Sequence, residues 1–218
     1  MNKAEIAKLI DYSLLKADAT EKQVRGLCIS AKKYNVNSVC INPCHVKYAK
    51  KIIGKSKVKV ACVVGYPLGA NLAETKVFEA GKAIEQGADE LDVVMNIGLF
   101  KSKKYDFVLK ELKQIVSSAK KIKKTVKIKI IIETGMLTND EIKKASVLVL
   151  KSGADFVKTG TGWSKGATVE DVKLIKSAVN GKIGIKAAGG IKTREQAEAL
   201  ARAGATRLGT SHTEAILR

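Results

Sequence analysis

The chain has 218 residues, 45% apolar and 28% charged, and its 40 Lys and Arg against 21 Asp and Glu give a formal charge of +19. This content supports one full-sized domain over residues 1–218, and without a signal core in Met1–Lys8 or an apolar run near the roughly 18 residues of a spanning helix, a cytoplasmic protein without membrane contact is expected. The basicity is dispersed and lysine-borne, only Arg25, Arg194, Arg202, Arg207 and Arg218 being arginines, which argues against specific nucleic-acid recognition, where guanidinium forks and stacking rings are needed.

From the N-terminus, a short helix leads into apolar stretches that alternate with amphipathic ones to the end of the chain. Strands are predicted at about Leu9 to Leu14, Asn37 to Asn42, Val58 to Val64, Glu90 to Met95, Lys127 to Glu133, Asp155 to Thr159, Ile183 to Ala187 and Thr206 to Thr210. Between them, apolar residues three and four apart predict helices such as Glu21 to Tyr34, Leu72 to Gln86, Tyr105 to Lys120, Asn139 to Lys151, Val169 to Val179 and Arg194 to Ala203. Thr20 and Thr193, each followed at the third position by a glutamine, read as helix N-caps. Gly87-Ala88-Asp89, Gly153-Ala154-Asp155 and Gly204-Ala205-Thr206 each close a helix just ahead of a strand, as loops of a repeating unit do. Eight β/α units in about 200 residues predict a single-domain TIM (β/α)8 barrel. An open doubly wound sheet fits less well, because no dinucleotide glycine fingerprint follows the first strand. Cys28, Cys40, Cys44 and Cys62 lack the paired spacing of a zinc site and read as buried free thiols, so no metal is expected. The dense basic run from Lys120 to Lys129 reads mainly as a solvated helix end and strand start.

Barrels of this kind carry their chemistry at the C-terminal ends of the strands. The polar residues expected there are Asp11, Ser13, Asn42, Asp92, Asn96, Glu133, Lys158 and Lys186. Lys158 ends the apolar run Phe156-Val157, and Lys186 interrupts Gly184-Ile185-Lys186-Ala187 ahead of a Gly-Gly turn. A buried ammonium is costly unless it is paired or has lost its proton. A free lysine amine is only ~0.04% neutral at pH 7, so a nucleophilic lysine needs burial and a neighbouring cation to shed its proton. Lys158 is read as that nucleophile and Lys186 as that cation. Asp92, between apolar neighbours, either pairs with a cation or moves protons. Gly160-Thr161-Gly162, Gly189-Gly190 and Gly209-Thr210-Ser211 sit on the last three turns, where backbone amides approach an anion closely, and predict a phosphate cradle. A phosphosugar isomerase or epimerase on the same scaffold, or a nonenzymatic basic binder, would also fit the barrel and the charge.

Across Ile10-Asp-Tyr-Ser-Leu-Leu-Lys-Ala-Asp-Ala-Thr20, Val39-Cys-Ile-Asn-Pro43, Gly65-Tyr-Pro-Leu-Gly69, Glu90-Leu-Asp-Val-Val-Met-Asn-Ile-Gly98, Ile131-Ile-Glu-Thr-Gly135, Asp155-Phe-Val-Lys-Thr159 and Gly184-Ile-Lys-Ala-Ala-Gly-Gly-Ile191, the chain resembles the deoxyribose-phosphate aldolase family. The resemblance implies a class I aldolase that needs neither metal nor organic cofactor. Such an enzyme cleaves 2-deoxy-D-ribose 5-phosphate to acetaldehyde and D-glyceraldehyde 3-phosphate. It places the Schiff-base lysine on Lys158, the second lysine on Lys186 and the proton-relay aspartate on Asp92. It also implies substrate contacts from Asp11, Ser13, Thr159, Gly162, Gly189, Gly190, Gly209 and Ser211. Its partners would be a phosphorylated sugar and small aldehydes, in a homodimer or homotetramer. The sequence departs from the commoner family pattern at Tyr12-Ser13, where Ser13 keeps the hydroxyl near the substrate hydroxyls, and at Gly160, Ala188, Lys192 and His212, which bear on the phosphate contacts rather than on Lys158, Lys186 and Asp92.

Overall fold

A closed barrel follows from strands whose alternate residues must satisfy two different surroundings. In the computed structural model, which describes residues 1–218, helix α1 (Lys3–Ala7) leads into β1 (Ile10–Leu14). The first units follow as α2 (Glu21–Tyr34), β2 (Ser38–Ile41), α3 (Val46–Ile53), β3 (Lys59–Val64), α4 (Ala73–Glu85) and β4 (Glu90–Val94). After β4 come α5 (Ile97–Lys101), α6 (Tyr105–Ile122), β5 (Lys127–Ile131), α7 (Asn139–Ser152) and β6 (Phe156–Lys158). The last units are α8 (Val169–Val179), β7 (Gly184–Ala188), α9 (Arg194–Ala203), β8 (Arg207–Thr210) and α10 (Thr213–Ile216). All eight strands are parallel and run in sequence order around the barrel, β8 closing on β1 through Asp11 against Gly209. This is the TIM barrel expected from the sequence.

The outward residues of the strands, among them Val39, Ile41, Leu91, Val93, Ile128, Ile130, Val157 and Ile185, join the helices in one large apolar core. The inside of the barrel differs. Only Cys40, Ala61 and Val63 form an apolar cluster there, while Asp11, Glu90, Asp92, Lys129, Lys158 and Lys186 are all buried and joined by ion pairs across it. Neighbouring strands keep these residues in register: Asp92 pairs with Lys129, Lys158 with Lys186, and Lys186 with Arg207.

The three Gly-Ala loops share one device that the sequence hinted at but did not specify. The residue after each Gly-Ala accepts a hydrogen bond from a backbone N–H at the start of the preceding strand. Asp89 takes Val60 N at 3.1 Å, Asp155 takes Ile128 N at 3.0 Å and Thr206 takes Ile185 N at 3.3 Å. Each side chain therefore satisfies an amide that the ladder leaves over. The two aspartates also gather lysines: Lys50 and Lys123 on Asp89, Lys120 and Lys127 on Asp155. The N-caps of Thr20 and Thr193 form full capping boxes with Gln23 and Gln196.

Several expectations need correction. Strand β5 ends at Ile131 rather than Glu133, because Glu133 adopts a left-handed conformation (φ 56°) and turns the chain away. Strand β7 extends to Ala188, one residue further than predicted. Lys129, expected in a solvated run, is fully buried, and Cys44, expected to be buried, is exposed. Helices α3, α5 and α10 are not among the predicted ones; each is short, five to eight residues in the first two cases and four in the last. No helix is long and apolar enough to cross a membrane.

Candidate active site

Strand β6 delivers Lys158 to the C-terminal mouth of the barrel with its side chain inside, and β7 places Lys186 beside it. Asp92 of β4 joins them from across the barrel: its Oδ2 accepts from Lys158 Nζ at 2.7 Å and from Lys186 Nζ at 2.7 Å. The other oxygen, Oδ1, accepts from Lys129 Nζ at 2.9 Å. Asp11 continues the network on β1, accepting from Lys186 at 2.5 Å, Arg207 at 3.1 Å, Ser38 Oγ at 2.7 Å and Asn37 Nδ2 at 3.0 Å. Glu90 closes it from below, 2.6 Å from Lys129 and 3.5 Å from Arg207.

Four cations thus face three carboxylates in a space largely withdrawn from water. Low dielectric makes each pairing count, so ionisation is set by how many opposite charges each group touches. Burial alone would raise Asp92, but Lys129, Lys158 and Lys186 outweigh it and hold the carboxyl well below its usual range. Asp11 is held at about 2 in the same way, burial being overcome by Lys186, Lys129 and Arg207. Burial would lower Lys129, yet Asp92, Asp11 and Glu90 raise it well above the ordinary lysine value. Lys186 is raised to about 12 against burial by Asp11 and Asp92. These two lysines are therefore fixed cations. Lys129 touches three carboxylates and Lys186 two, whereas Lys158 has Asp92 alone and shares that oxygen with Lys186. Lys158 is the least compensated amine of the set.

Above it opens a cavity of about 360 Å³. Lys158 and Lys186 form part of its floor with Cys40, and Ser13 and Lys16 line the β1 side. The Cys40 thiol lies 3.7 Å from Asp92 Oδ2, and burial, then Asp92, push it up to about 11, so it is protonated at neutral pH. Gly162, Gly189, Gly190, Lys192, Gly209, Ser211 and His212 line the opposite wall. The N–H groups of Gly162, Gly189, Gly190 and Ser211 donate to no acceptor in the protein. Gly162 (φ 95°), Gly189 (φ 101°) and Gly190 (φ 71°) occupy backbone conformations that side chains resist, and a Cβ on Gly189 would press to 3.3 Å from Gly162 Cα. Their backbones pack directly on one another, leaving unpaired amides and a lysine around one wall. That wall suits a multiply charged oxyanion.

Not every predicted contact residue reaches this cavity. Asp11 lies beneath it, its oxygens taken by the cation network. Thr159 is fully buried and straps β6 to β7, accepting from Ala188 N at 3.0 Å and donating to Ala188 O at 3.2 Å. Glu133 braces the loop after β6, accepting from Thr161 N at 3.0 Å and Ser164 Oγ at 2.5 Å. A side chain at Gly160 would meet Glu133 Oε1 at 2.8 Å, so this brace and the small residue go together. Asn42 and Asn96 serve the backbone: Asn42 donates to Lys16 O, and Asn96 caps α5. Conversely, Lys16, Cys40, Tyr66 and Trp163 line the cavity although sequence reasoning does not place them there, and Thr161 of the predicted cradle joins them. Tyr66 donates to Thr161 O at 3.1 Å and accepts from Trp163 Nε1 at 3.0 Å, forming a clasp across the mouth. The buried partners Lys129, Glu90 and Arg207 likewise escape sequence reasoning. Inward alternation of Glu90 with Asp92, and of Lys129 with Ile131, is the signal that could have revealed two of them.

Comparison with known proteins gives a consistent picture. Residues 6–212 match the DeoC/LacD family aldolases. A protein from Thermoanaerobacter sp. (strain X514) called deoxyribose-phosphate aldolase is 50% identical over 207 residues, covering 94% of this chain and 92% of its own length. Its namesake from Clostridium perfringens (strain 13 / Type A) is 49% identical over 217 residues, covering 99% and 96%. Among solved structures, an aldolase titled QR15 is 44% identical with a TM-score of 0.92, over 97% of this chain and 94% of that one. The tetrameric deoxyribose phosphate aldolase from Aeropyrum pernix is 32% identical with a TM-score of 0.92, over 99% and 91%.

Proposed function

The chain belongs to the DeoC/LacD family of aldolases, and on that premise we propose that it is a class I enzyme that reversibly cleaves 2-deoxy-D-ribose 5-phosphate. The products are acetaldehyde and D-glyceraldehyde 3-phosphate, a step of deoxyribonucleotide breakdown in the cytoplasm. Lys158 is the nucleophile, Asp92 carries protons, Lys186 is the fixed cation beside them, and no metal or organic cofactor takes part. The observation that carries this reading is the single shared oxygen: Lys158 is buried at the cavity floor with only Asp92 Oδ2 to balance its charge, and Lys186 competes for it.

The chemistry needs an electron sink, because breaking the bond beyond a CH2 next to an aldehyde otherwise leaves an unstabilised carbanion. The neutral Lys158 amine adds to C1 of the open-chain sugar. The resulting carbinolamine takes a proton on its hydroxyl and loses water, giving an iminium. A base removes the proton of the 3-hydroxyl, the C2–C3 electrons move toward the iminium, and D-glyceraldehyde 3-phosphate departs from an enamine. Protonation at C2 and addition of water then release acetaldehyde and restore the amine. Asp92, bonded to both lysines, passes these protons between Lys158 and the substrate while Lys186 keeps its charge. Ser13 faces the substrate hydroxyls. Gly162, Gly189, Gly190, Gly209 and Ser211, with Lys192, hold the phosphate through amides and charge. Asp11 and Thr159 hold Lys186 and the β6–β7 edge rather than the sugar. The chain works as one domain and as a homodimer or homotetramer, its exposed Leu72, Leu99 and Phe107 around one surface groove being apolar enough for a second copy.

The test is direct. The purified protein with 2-deoxy-D-ribose 5-phosphate should release both aldehydes with or without a chelator, and Lys158→Arg should not. Release that survives Lys158→Arg, or that stops on chelation, overturns the proposal.

A further inference from the structure

The ionic network does not stop at the catalytic floor. It continues through the barrel to Arg207, which lies 15% exposed at the start of β8, with its guanidinium carbon 5.5 Å from the Phe156 ring centre. Arg207 Nη1 reaches Asp11 Oδ1 at 3.1 Å and Glu90 Oε1 at 3.5 Å. Glu90 Oε2 lies 2.6 Å from Lys129, and Lys129 and Lys186 both bridge to Asp92. Every group in this chain is charged, and each touches the next.

We propose that Arg207 and Glu90, at the far end of the barrel from the substrate, are positioning residues that set the pH dependence of the cleavage through the ion-pair chain that ends at Lys158. This rests on the reading of Lys158 as the amine that forms the imine. With Arg207 the set holds four cations against three carboxylates, so one positive charge is surplus, and Lys158 is the amine with the fewest carboxylates around it. Without Arg207 the three lysines would balance Asp11, Glu90 and Asp92, and cleavage would set in at higher pH. Without the Glu90 charge the surplus doubles, and cleavage would set in at lower pH. The groups facing Lys158 are Asp92 from β4, Lys186 from β7, Lys129 from β5 through Asp92, and Cys40 from β2. The Cys40 thiol is neutral at working pH and leaves this balance unchanged. Those facing Arg207 are Asp11 from β1, Glu90 from β4 and the Phe156 ring from β6.

Register gives the size of the effect. Lys158 aligns with Lys186 and Lys186 with Arg207, two strand spacings in all. That is about 10 Å, and at an effective dielectric of about 20 one unit charge there moves a titration midpoint by about one pH unit.

The experiment is the pH profile of kcat/KM for cleavage of 2-deoxy-D-ribose 5-phosphate by four variants, with wild-type trapping by acetaldehyde and borohydride as the control for Lys158. Arg207→Met should move the acidic limb up by about one unit and Glu90→Gln should move it down by a similar amount. Arg207→Lys should leave it in place. The double variant Arg207→Met with Glu90→Gln restores the surplus of one and should return the limb to the wild-type position. Glu90→Gln and the double variant carry the test if Arg207→Met does not fold. A limb that stays put in both single variants while wild-type Lys158 is trapped overturns this inference alone. So do variants that lose rate equally at every pH. Absence of trapping at Lys158 in the wild type overturns the underlying aldolase reading instead.

Discussion

Lys129 and Lys158 stand on neighbouring strands, two register positions apart, and have similar burial, yet their removal should have opposite consequences for stability. Both carry an ammonium hydrogen-bonded to Asp92, at 2.9 and 2.7 Å. At an effective dielectric of about 20, a pair at that distance attracts by about 6 kcal/mol, while two ammoniums roughly 5 Å apart repel by about 3 kcal/mol. Lys158 has one such attraction, against repulsion from both Lys186 and Lys129, so the terms nearly cancel. Lys129 has Glu90, Asp92 and Asp11 around it, at 2.6, 2.9 and 3.5 Å, and its attractions clearly exceed its repulsions. Lys129→Met should therefore remove the one cation that Glu90, Asp92 and Asp11 all share and cost about 3–5 kcal/mol. In a chain of this size that is about 10 °C or more in Tm. Lys158→Met, by contrast, should change stability by less than about 1 kcal/mol while abolishing activity, since a functional charge is removed that the fold does not need. Urea unfolding of the two variants and wild type, with the slope m checked for constancy, measures the difference. Equal destabilisation of both, or a Lys129→Met protein as stable as wild type, would refute the assignment of Lys129 as counter-ion and Lys158 as surplus.

The acid response has a defined sign. Asp11 titrates at about 2 in the fold against 3.8 as a free side chain, so its contribution of about 2 kcal/mol is present above pH 4 and lost as pH falls through about 2. The urea midpoint should fall across that window, less steeply in Asp11→Asn; a flat wild-type midpoint from pH 4 to 2 would contradict the network. Gly189→Ala puts a methyl where φ is 101° and Gly162 Cα lies 3.3 Å away, which should spoil the amide wall and raise KM for the phosphorylated sugar about 10- to 100-fold. Acceptance of unphosphorylated 2-deoxyribose should change little, and an equal loss for both sugars would remove the phosphate role from this loop.

The barrel was legible because its signals are local and repeated. Eight apolar runs, two capping boxes and three Gly-Ala closures each state their own element, and their spacing fixes the closure. Lys158, Lys186 and Asp92 were legible because a charge inside an apolar strand is costly to bury unless a partner or a reaction uses it. Their partners were not, for reasons that differ. Lys129 sits in a run of lysines whose other members, such as Lys127 and Lys124, are exposed, so composition concealed the one turned inward. Arg207 follows a Gly-Ala closure and looks like a strand-start surface residue until β8 closes beside β1. Asp11 and Thr159 were expected on the substrate from the family resemblance. Asp11 is only the second residue of β1 and lies below the floor that Ser13 reaches, and the Thr159 hydroxyl is spent on Ala188. Tyr66 and Trp163 lie nearly 100 positions apart in sequence, and only the closed barrel brings the two loops into contact.

The most direct measurement is covalent. Incubated with acetaldehyde and reduced with borohydride, the protein should gain one two-carbon unit, and peptide masses should place it on Lys158 with Lys129 and Lys186 unmodified. An adduct on Lys186, or none at all on the folded protein, would contradict the central claim that the least compensated amine of the buried set is the one that reacts.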